Sequence, residues 1–364
     1  MTAEFRTLHD IVKRARANLP RGEWDFVFGA AETETSMKRN RLAFDRLALK
    51  ARVLNDVSKV NLRRKVLGVD MRIPVMLAPI GSLQGFEKGG GLSAARAAET
   101  FGSIKILSSA CKPDFEEVAR ECPGAAKIYQ LYVMGEEAWM MDIIARTQAV
   151  GYNAFCLTVD TQVGSRRERD ILKGWVSISG RGPDGKPAPP PAVTLQPSMS
   201  WALVRRVKDR LKIPLVLKGI ACAEDAELAL QHGVEVIYVS NHGGRQLDHA
   251  RASLDTLPEI VRVAKGKATI VFDGGIMRGT DILKALALGA DAVAIGRLEA
   301  LAMAAGGAGA VVRALELLEV EMRLNLQLMG LSSIEQLTPD CVLAAEPVGL
   351  PHTLSAFPLL DEDY

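Results

Sequence analysis

The sequence that decides the fold is the stretch from residue 269 to residue 297, TIVFDGGIMRGTDILKALALGADAVAIGR. It contains two apolar runs, at 269–275 and 292–297, and apolar residues recur at helical spacing between them. The helical pattern ends at Gly289, and glycine readily adopts the left-handed conformation that ends a helix. A strand, a helix and a second strand in this order predict a β-α-β unit with parallel strands buried on both faces.

The same kind of unit recurs along the chain. Eight short runs rich in Val, Ile and Leu are separated by polar turns and helical patterns: 74–80, 104–109, 126–132, 154–160, 214–219, 236–242, 269–275 and 292–297. Eight such units predict an α/β fold of the (β/α)8 or TIM-barrel class. The main alternative, a doubly wound open sheet, usually has about five or six strands and a GxGxxG turn after the first strand. Here GSLQGFEKGGG (81–91) follows the first strand and lacks that spacing.

Two regions lie outside the eight units. Residues 1–73 are predicted to form an N-terminal helical extension with an extended segment, which closes the bottom of the barrel or flanks the active site. Residues 174–200 follow the fourth strand and hold six of the seventeen prolines, so a regular helix or a central strand is excluded there. We expect this Pro/Gly-rich segment to be a mobile or partly disordered lid loop. The whole chain, 1–364, is predicted to be one domain.

Composition narrows the class of protein. The chain is 48% hydrophobic and 24% charged with a net charge of +2, and it has no basic patch interleaved with aromatics, which argues against nucleic-acid binding. Its five cysteines are scattered without metal-ligand spacing, which predicts reduced thiols and no metal site. The N-terminus lacks the apolar core of a signal peptide, and Asp291, Arg297 and Glu299 interrupt the most apolar region, 282–312. We therefore predict a cytoplasmic protein without an integral membrane segment.

Polar residues cluster at the predicted carboxyl ends of the strands, where barrels of this class place their active sites. Each of these residues alone has a structural explanation, such as capping a helix. Their coincidence on one rim predicts a functional site instead. The residues are Ser108, Gln130, Tyr132, Thr158, Asp160, Lys218, Ser240, His242, Arg245, Asp273 and Arg297.

The ionisable members of this set predict acid-base chemistry on an anionic substrate. His242 precedes two glycines, and histidine is the usual acceptor of a proton at neutral pH. Asp160 is positioned in the sequence to orient that imidazole and to stabilise its charged form. Arg245 and Arg167 carry guanidinium groups that bind a carboxylate through two parallel hydrogen bonds. Arg167 belongs to a basic run, 166–169, that fits a solvated charged face equally well.

A second group of residues predicts a phosphorylated ligand. Glycines at the ends of the last two strands expose backbone N–H groups at helix starts, and such N-termini attract phosphate. Asp273 lies there and is suited to accept from a ribityl or ribose hydroxyl. Lys218 ends an apolar strand, where a buried ammonium needs an anion or a polar ring opposite it unless the side chain extends to solvent.

Six segments on these strands resemble the FMN-dependent α-hydroxy acid oxidases and dehydrogenases, a family that includes glycolate oxidase, lactate monooxygenase and mandelate dehydrogenase. The resemblance extends from about residue 5 to 350, and SNHGGRQLD is far more specific than a single glycine-rich loop. The segments are YQLYV (129–133), LTVDT (157–161), LVLKG (215–219), VSNHGGRQLD (239–248), FDGGIMRGTD (272–281) and AIGR (294–297).

The resemblance implies a role for each matching residue. It assigns the active-site base to His242 with Asp160 as its partner, the substrate carboxylate to Arg245 and Arg167, and a substrate contact near the reacting carbon to Tyr132. It places Lys218 beside the N1/O2 edge of the flavin. The other implied FMN contacts are Pro79, Ile80, Gly81, Ser108, Gln130, Thr158 and Ser240 at the ring, and Asp273, Gly275, Gly296 and Arg297 at the ribityl chain and phosphate.

The implied reaction is the oxidation of an L-2-hydroxy acid to a 2-keto acid. Two electrons pass to FMN and onward to oxygen or a quinone-type acceptor, either as a hydride or through a carbanion. The resemblance also implies a homotetramer and no metal.

Two departures from the family concern binding groups. Phe26 stands where relatives carry a second tyrosine that contacts the substrate, so substrate binding should be weakened or altered. Met277 stands where an arginine usually helps to bind the phosphate, and Arg278 with Arg297 is expected to compensate.

Two further departures concern the shape of the site. Ala110 and Gly164 are smaller than the residues of glycolate oxidase, which predicts a substrate larger than glycolate, such as an aryl or long-chain acid. Gly81 replaces the alanine of glycolate-type oxidases beside the flavin, which leaves oxygen and a quinone-type acceptor both open.

Two other functions are compatible with parts of the pattern. A different FMN-dependent barrel enzyme, an isomerase or a reductase, fits the changes at Phe26 and Met277. A non-catalytic phosphate-binding scaffold is disfavoured, because such a protein needs no base beside an anion-binding pair of arginines.

Overall fold

The computed structural model describes residues 5–182, 184, 186–188 and 195–362. Its N-terminal part comprises helices α1 (Leu8–Asn18), α2 (Arg21–Phe28) and α3 (Thr35–Asp45) and the short strands β1 (Leu47–Leu49), β2 (Arg64–Val66) and β3 (Val69–Met71). The eight strands that follow are β4 (Val75–Leu77), β5 (Ile104–Ser108), β6 (Ala126–Leu131), β7 (Ala154–Thr158), β8 (Leu215–Ile220), β9 (Val236–Val239), β10 (Thr269–Phe272) and β11 (Ala292–Ile295).

These eight strands form a closed parallel barrel in the order β4 to β11, with β11 hydrogen-bonded back to β4. Each predicted apolar run contains one strand, so the prediction of a (β/α)8 barrel is confirmed. Alternate side chains point into the barrel, where Met76, Ile106, Cys156 and Tyr238 belong to one buried cluster. The intervening side chains face the surrounding helices, as expected for a parallel sheet buried on both faces.

The remaining regular elements surround the barrel or follow it. They are α4 (Gly90–Phe101), α5 (Phe115–Glu121), α6 (Glu137–Ala149), α7 (Glu168–Lys173), α8 (Trp201–Arg210), α9 (Ala223–Gln231), α10 (Ser253–Ala264), α11 (Gly279–Ala287), α12 (Arg297–Leu328) and β12 (Val342–Ala344). The helix predicted to stop at Gly289 does so, and α9 likewise ends just before Gly233; both glycines have positive φ.

The N-terminal extension fulfils both expected roles. Strands β2 and β3 form an antiparallel hairpin whose Val66 and Met71 join the buried cluster inside the barrel and close its amino-terminal end. Helices α2 and α3 instead reach the opposite end, where Phe26, Asn40 and Arg41 contribute to the wall of a cavity. The extension therefore both seals the barrel and helps to build the candidate site.

Helix α12 is the one element in the described chain that is long and apolar enough to cross a membrane, and 61% of its most apolar window is buried inside the fold. The core helix of a water-exposed protein passes the same test. The helix is also interrupted at Gly306 and Gly307, where the backbone is not helical. The sequence prediction of no integral membrane segment stays a prediction.

The predicted lid, residues 174–200, is described only in part, because 183, 185 and 189–194 lie outside the described residues. The described portion contains two 3-10 turns, Ile178–Gly180 and Gln196–Ser198. The Ser179 hydroxyl lies 2.6 Å from the Ser82 hydroxyl, which brings the segment to the carboxyl end of the barrel. Its mobility stays a prediction.

An ion pair lies buried between the barrel and α12. Lys105 on β5 contacts Glu299 in the first turn of α12 and donates to the backbone oxygen of Ala78 at 2.7 Å, and both charged side chains are fully buried. Burial raises the pKa of Glu299 to about 7, against the attraction of Lys105. The pair ties the end of β4 to the start of α12, and both of these segments line the candidate site.

Removing one member of this pair should cost more stability than removing both. Glu299→Leu leaves an uncompensated ammonium and should lower the free energy of unfolding by about 3–5 kcal/mol. The double variant Lys105→Met/Glu299→Leu, which removes both charges at similar volume, should recover most of that loss. Urea unfolding followed by circular dichroism at a fixed FMN concentration measures both changes. Equal losses in the single and double variants would contradict this account.

Candidate active site

The carboxyl ends of the barrel strands open into a cavity of about 860 Å³. Among the described residues, the cavity wall includes five cationic side chains but one carboxylate, that of Asp273, so this part of the wall has an excess of positive charge. The cations are Arg41, Arg167, Lys218, Arg245 and Arg297. A volume of this size is typical of sites for cofactors and small-molecule substrates.

His242 and Asp160 form a hydrogen-bonded pair at this end of the barrel. Asp160 Oδ1 lies 3.0 Å from His242 Nδ1, and the Tyr132 hydroxyl lies 3.3 Å from His242 Nε2. The Thr161 hydroxyl donates to Asp160 Oδ1 at 3.0 Å and helps to hold the carboxylate. With Nδ1 engaged by Asp160, Nε2 is the ring atom that faces the cavity side and can accept a proton.

The backbone turn after β9 is what presents this imidazole. His242 and Gly243 both have positive φ, 59° and 67°, so the chain reverses sharply as it leaves the strand. A Cβ atom at Gly243 would lie 2.8 Å from an Arg297 guanidinium nitrogen, so the glycine also makes room for that arginine. The pair of glycines after the histidine is thus explained by backbone conformation and by close packing.

Burial and neighbouring charges set the protonation of the pair. Burial and the nearby Lys218 ammonium lower the pKa of His242 below its ordinary value of 6.5, although Asp160 opposes the shift. Burial would raise the pKa of Asp160, but the charges of His242 and Lys218 outweigh burial and hold that pKa at about 2. At neutral pH the site therefore combines a neutral imidazole with an ionised carboxylate, which suits a general base.

Arg245 and Arg167 are partly buried cations without a carboxylate partner among the described residues. Arg245 donates to the backbone oxygens of Phe26 and Gly29 at 2.6 and 2.7 Å, while the Arg167 Nε is buried without a hydrogen-bond partner. Burial and the repulsion of Arg167 and Arg297 depress the pKa of Arg245 well below its usual range. Across residues 5–182 and 195–362, neither guanidinium forms an ion pair with a carboxylate. Both groups are therefore available to an anionic ligand.

The basic run 166–169 separates into three environments. Arg166 is exposed and lies 3.7 Å from Glu168, whereas Arg169 is bound by Glu34 and Asp25. Arg167 alone lines the cavity. From the sequence, Arg167 could equally lie on a solvated charged face or bind a ligand. In the structure, Arg167 lies on the wall of the candidate site.

Lys218 and Ser240 lie deeper in the barrel mouth. Lys218 Nζ donates to the Ser240 hydroxyl at 3.2 Å and is nearly fully buried. Burial opposes the charged form, but Asp160 and Asp273 outweigh it and raise the pKa of Lys218. Asp273 accepts from the Tyr238 hydroxyl at 2.9 Å with one oxygen, while its second oxygen is buried without a partner.

Several buried polar atoms at the barrel mouth have no partner among the described residues. Both polar atoms of Gln130 and the hydroxyl of Thr158 are in this state, beside unpaired oxygens of Asp160 and Asp273. Such groups are costly unless a ligand satisfies them. The set contains donors and acceptors side by side, which matches the polar edge of a heterocyclic ring.

The other residues predicted to contact the cofactor divide by position. Pro79, Ile80, Gly81, Gly275, Gly296 and Arg297 line the cavity. Ser108 is buried beside it and accepts from the Ala110 backbone at 3.2 Å. Arg278 differs from the rest, because its guanidinium pairs with Glu321 at 2.6 Å and donates to the Ala356 backbone at 3.1 Å. Its side chain is therefore not on the cavity wall, and the expected compensation for Met277 does not come from it.

Sequence reasoning missed one supporting residue, Asn40. The Asn40 and Asn241 side chains exchange two hydrogen bonds of 2.9 and 2.8 Å, which fix the turn that carries His242. Asn40 lies on α3, two hundred residues away in the chain, so no local pattern joins the two. The available signal was Asn241 itself, a partly buried amide next to His242 that needs a polar partner.

Fold and site together define a class: a (β/α)8 barrel whose mouth holds a histidine–aspartate pair, two arginines without carboxylate partners and buried polar atoms left for a ligand. Comparison with known proteins identifies the family. The FMN-dependent dehydrogenase family profile matches residues 15–344. The chain is 37% identical to an L-lactate oxidase of Nostoc sp. over 91% of this chain and 96% of that one. It is 34% identical to a 2-hydroxyacid oxidase of Dictyostelium discoideum over 93% and 90%.

Solved structures agree with the sequence relatives. A mandelate oxidase structure superposes with a TM-score of 0.85 at 34% identity, over 95% of this chain and all of that one. An active chimera of (S)-mandelate dehydrogenase superposes with a TM-score of 0.86 at 32% identity, over 93% and 99%. The chain therefore belongs to the FMN-dependent α-hydroxy acid oxidase family, and its cofactor is FMN.

The unpaired atoms of Gln130 lead to a prediction about cofactor affinity. Gln130→Leu removes a donor and an acceptor that FMN can satisfy, so the Kd for FMN should rise about 5- to 150-fold, from two neutral hydrogen bonds of about 0.5–1.5 kcal/mol each. Titration of the apoprotein with FMN, followed by flavin fluorescence, measures the change. Gln231→Leu, at the exposed end of α9, is the matched control and should bind as the parent does. Unchanged affinity in Gln130→Leu would argue against a ring contact at this residue.

Proposed function

We propose that the protein oxidises an L-2-hydroxy acid to a 2-keto acid with FMN as the immediate electron acceptor. The observation that carries the proposal is the placement of His242, paired with Asp160, in the same cavity as Arg245 and Arg167. A base beside an anion-binding pair of arginines fits a substrate that has both a carboxylate and an acidic proton.

The residues at the barrel mouth suit FMN. The unpaired atoms of Gln130 and Thr158 can bind the polar edge of the ring, with Lys218, Ser240 and Pro79–Gly81 around it. Gly275, Gly296 and Arg297, with the free oxygen of Asp273, provide donors and an acceptor for the ribityl phosphate. When bound, FMN supplies a two-electron acceptor. The Lys218 charge favours negative charge on the reduced ring.

The protein residues have separate tasks in this reaction. Arg245 and Arg167 hold the carboxylate and so fix the carbon that carries the hydroxyl relative to His242. Oxidation removes two electrons and two protons from the substrate, and His242 accepts one of these protons at Nε2. Asp160 then stabilises the resulting imidazolium. Tyr132 lies beside the same nitrogen and is suited to contact the substrate hydroxyl.

The shape of the cavity favours a large apolar side chain on the substrate. Phe26 packs against Phe86 and Trp175 with ring centroids 6.2 and 5.3 Å apart, and the Arg245 guanidinium lies 4.9 Å above its ring. An aromatic wall thus stands where the resemblance leads one to expect a tyrosine hydroxyl. Gly164 lines the cavity, and a Cβ added there would meet nothing within 4 Å, so the cavity has open space at this position. We propose an aryl or long-chain 2-hydroxy acid.

The final electron acceptor in this proposal is oxygen or a quinone-type carrier. Gly81 lines the cavity next to Ala110, and a Cβ at Gly81 would lie 3.1 Å from the Ala110 Cβ. The absence of that methyl group leaves space at the ring. Reoxidation of the reduced protein with oxygen and with a soluble quinone distinguishes the two acceptors.

The experiment that tests this function is anaerobic bleaching of the flavin by a panel of acids. Mandelate, 2-hydroxyoctanoate, lactate and glycolate in their (S) or achiral forms should reduce the bound FMN, and the first two should do so at the lowest concentrations. A holoprotein whose flavin no 2-hydroxy acid reduces would favour the alternative of a different FMN-dependent barrel enzyme, an isomerase or a reductase.

We also propose a cytoplasmic homotetramer. The five free cysteines support a reducing compartment, and the family resemblance supports the assembly. Light scattering should give a mass near four times 39.3 kDa. A monomeric mass would contradict the assembly, and fractionation of the source cells tests the location.

Replacing the base should affect chemistry and spare cofactor binding. His242→Ala should retain FMN but reduce it about 10²- to 10⁴-fold more slowly, the usual loss for a general base. Stopped-flow absorbance under anaerobic conditions measures the rate. His232→Ala, which lies outside the cavity and stacks on Trp201, is the control and should react at the parental rate. Parental reduction by His242→Ala would remove His242 from the mechanism.

The shifted pKa of His242 predicts the pH profile. The imidazole accepts a proton only when neutral, and its pKa lies below 6.5, so kcat/KM should fall as the pH drops through that lower value. Asp160 opposes the lowering, so Asp160→Asn should move this acid limb to a still lower pH and reduce the plateau. Steady-state rates across a pH series test the direction. An acid limb that moves to higher pH in Asp160→Asn would contradict the assignment.

A further inference from the structure

The C-terminal part of the chain reaches the cavity through Thr353. This threonine lies on the cavity wall and is only 6% exposed. The FMN-dependent dehydrogenase profile ends at residue 344, so Thr353 lies outside the residues that the profile matches. The profile therefore assigns no role to Thr353.

This segment is firmly attached to the barrel. Residues Thr353–Ala356 form a 3-10 turn, and His352 Nδ1 accepts from the Leu354 backbone at 3.2 Å. Arg278 donates to the Ala356 backbone at 3.1 Å, and the Phe357 ring is 1% exposed against His9. These contacts fix the position of Thr353 at the wall.

The turn covers the phosphate end of the cavity. It packs against α3, which carries Asn40 and Arg41, and both of these residues line the cavity. Arg278, in the glycine-rich turn after β10, donates to the Ala356 backbone at 3.1 Å, and Thr353 shares the cavity wall with Gly296 and Arg297. Arg297 begins α12, directly after Gly296, so this is the end at which the glycine-rich turns after the last two strands meet.

The nearby cations bind other protein groups, and Arg297 keeps only two of its five N–H donors for a ligand. Arg41 is bound by Asp281 and Asp45, and Arg278 is bound by Glu321. The Arg297 guanidinium donates to three backbone oxygens, those of Val27, Gly243 and Gly29, at 2.9, 2.9 and 3.2 Å.

The backbone N–H groups of residues 277 and 278 and the side chain of Met277 offer few hydrogen-bond donors to a phosphate. The N–H groups of Met277 and Arg278 both donate to Asp281, and the Met277 side chain lines the cavity without a donor. In the part of the chain that the structure describes, the Thr353 hydroxyl has no hydrogen-bond partner. The hydroxyl is therefore a side-chain donor at the phosphate end of the cavity that can bind a ligand.

We propose that Thr353 is a cofactor-binding residue that donates its hydroxyl to the phosphate of FMN. A phosphate monoester carries close to two negative charges at neutral pH, and a hydrogen bond to a charged acceptor is stronger than one to a neutral acceptor. The C-terminal turn thereby supplies a donor at the end of the cavity where Met277 supplies none. The same contact distinguishes FMN from the unphosphorylated flavin.

The test compares two flavins and three variants. The apoprotein of each variant is titrated with FMN and with riboflavin, and flavin fluorescence gives the Kd. Thr353→Val, which removes the hydroxyl at nearly constant shape, should raise the Kd for FMN at least about tenfold, the lower end for a hydrogen bond to a charged group. Its Kd for riboflavin should be unchanged. Thr353→Ser, which keeps the hydroxyl, should bind FMN within about twofold of the parent.

Thr338→Val is the matched control, because Thr338 is an exposed threonine at the start of another C-terminal 3-10 turn. It should leave both constants unchanged. Parental FMN affinity in Thr353→Val would overturn the proposal. So would an equal loss for FMN and riboflavin, because that result would mean a general disturbance of the site and no contact to phosphate.

Discussion

The structure depends on an electrostatic constraint: five cations line one cavity with a single carboxylate on its wall. Burying a charge without a partner is expensive, and a folded chain usually avoids it by pairing or by a shifted pKa. Both responses are visible here. Arg41 is paired with carboxylates, whereas burial and neighbouring arginines lower the pKa of Arg245 well below its usual range and that of Arg297 to about 10. The unpaired members require anions from outside the chain.

The barrel makes this arrangement possible, because parallel strands bring residues that are distant in sequence to one rim. Arg167 follows β7, Arg245 follows β9 and Arg297 follows β11, and together they define two anion-binding regions. In our proposal, one binds the cofactor phosphate and the other binds the substrate carboxylate. His242 lines the same cavity, with its Nδ1 held by Asp160. Ligands that satisfy these cations also stabilise the folded protein, since they bind the folded state alone.

Much of this arrangement was predictable from sequence. Eight apolar runs specify the barrel, since a buried parallel strand is a continuous apolar segment that stands out locally. Strand-end residues such as His242 and Asp160 could be placed at one rim because the fold determines where strand ends meet. The family resemblance added their roles. In the basic run 166–169, the sequence could not distinguish the member that faces the cavity, because the direction of each side chain depends on the packing of α2 and α3.

The features that sequence did not provide are contacts between distant segments. The Asn40–Asn241 pair joins α3 to the turn after β9. Arg278 was expected to bind the phosphate, but its guanidinium forms an ion pair with Glu321. The position of Thr353 depends on the docking of a C-terminal turn that carries no recognisable motif. Each is decided by tertiary packing, which local patterns do not encode.

The central claim is that uncompensated arginines recognise the substrate's carboxylate. The most direct measurement is anaerobic reduction of the bound flavin by an (S)-2-hydroxy acid and by its primary amide, which has the same carbon skeleton and no charge. A charged hydrogen bond contributes about 1.5–3 kcal/mol, so the amide should need at least about tenfold more substrate for the same rate of flavin reduction. Equal concentration dependence for the acid and the amide would contradict the account.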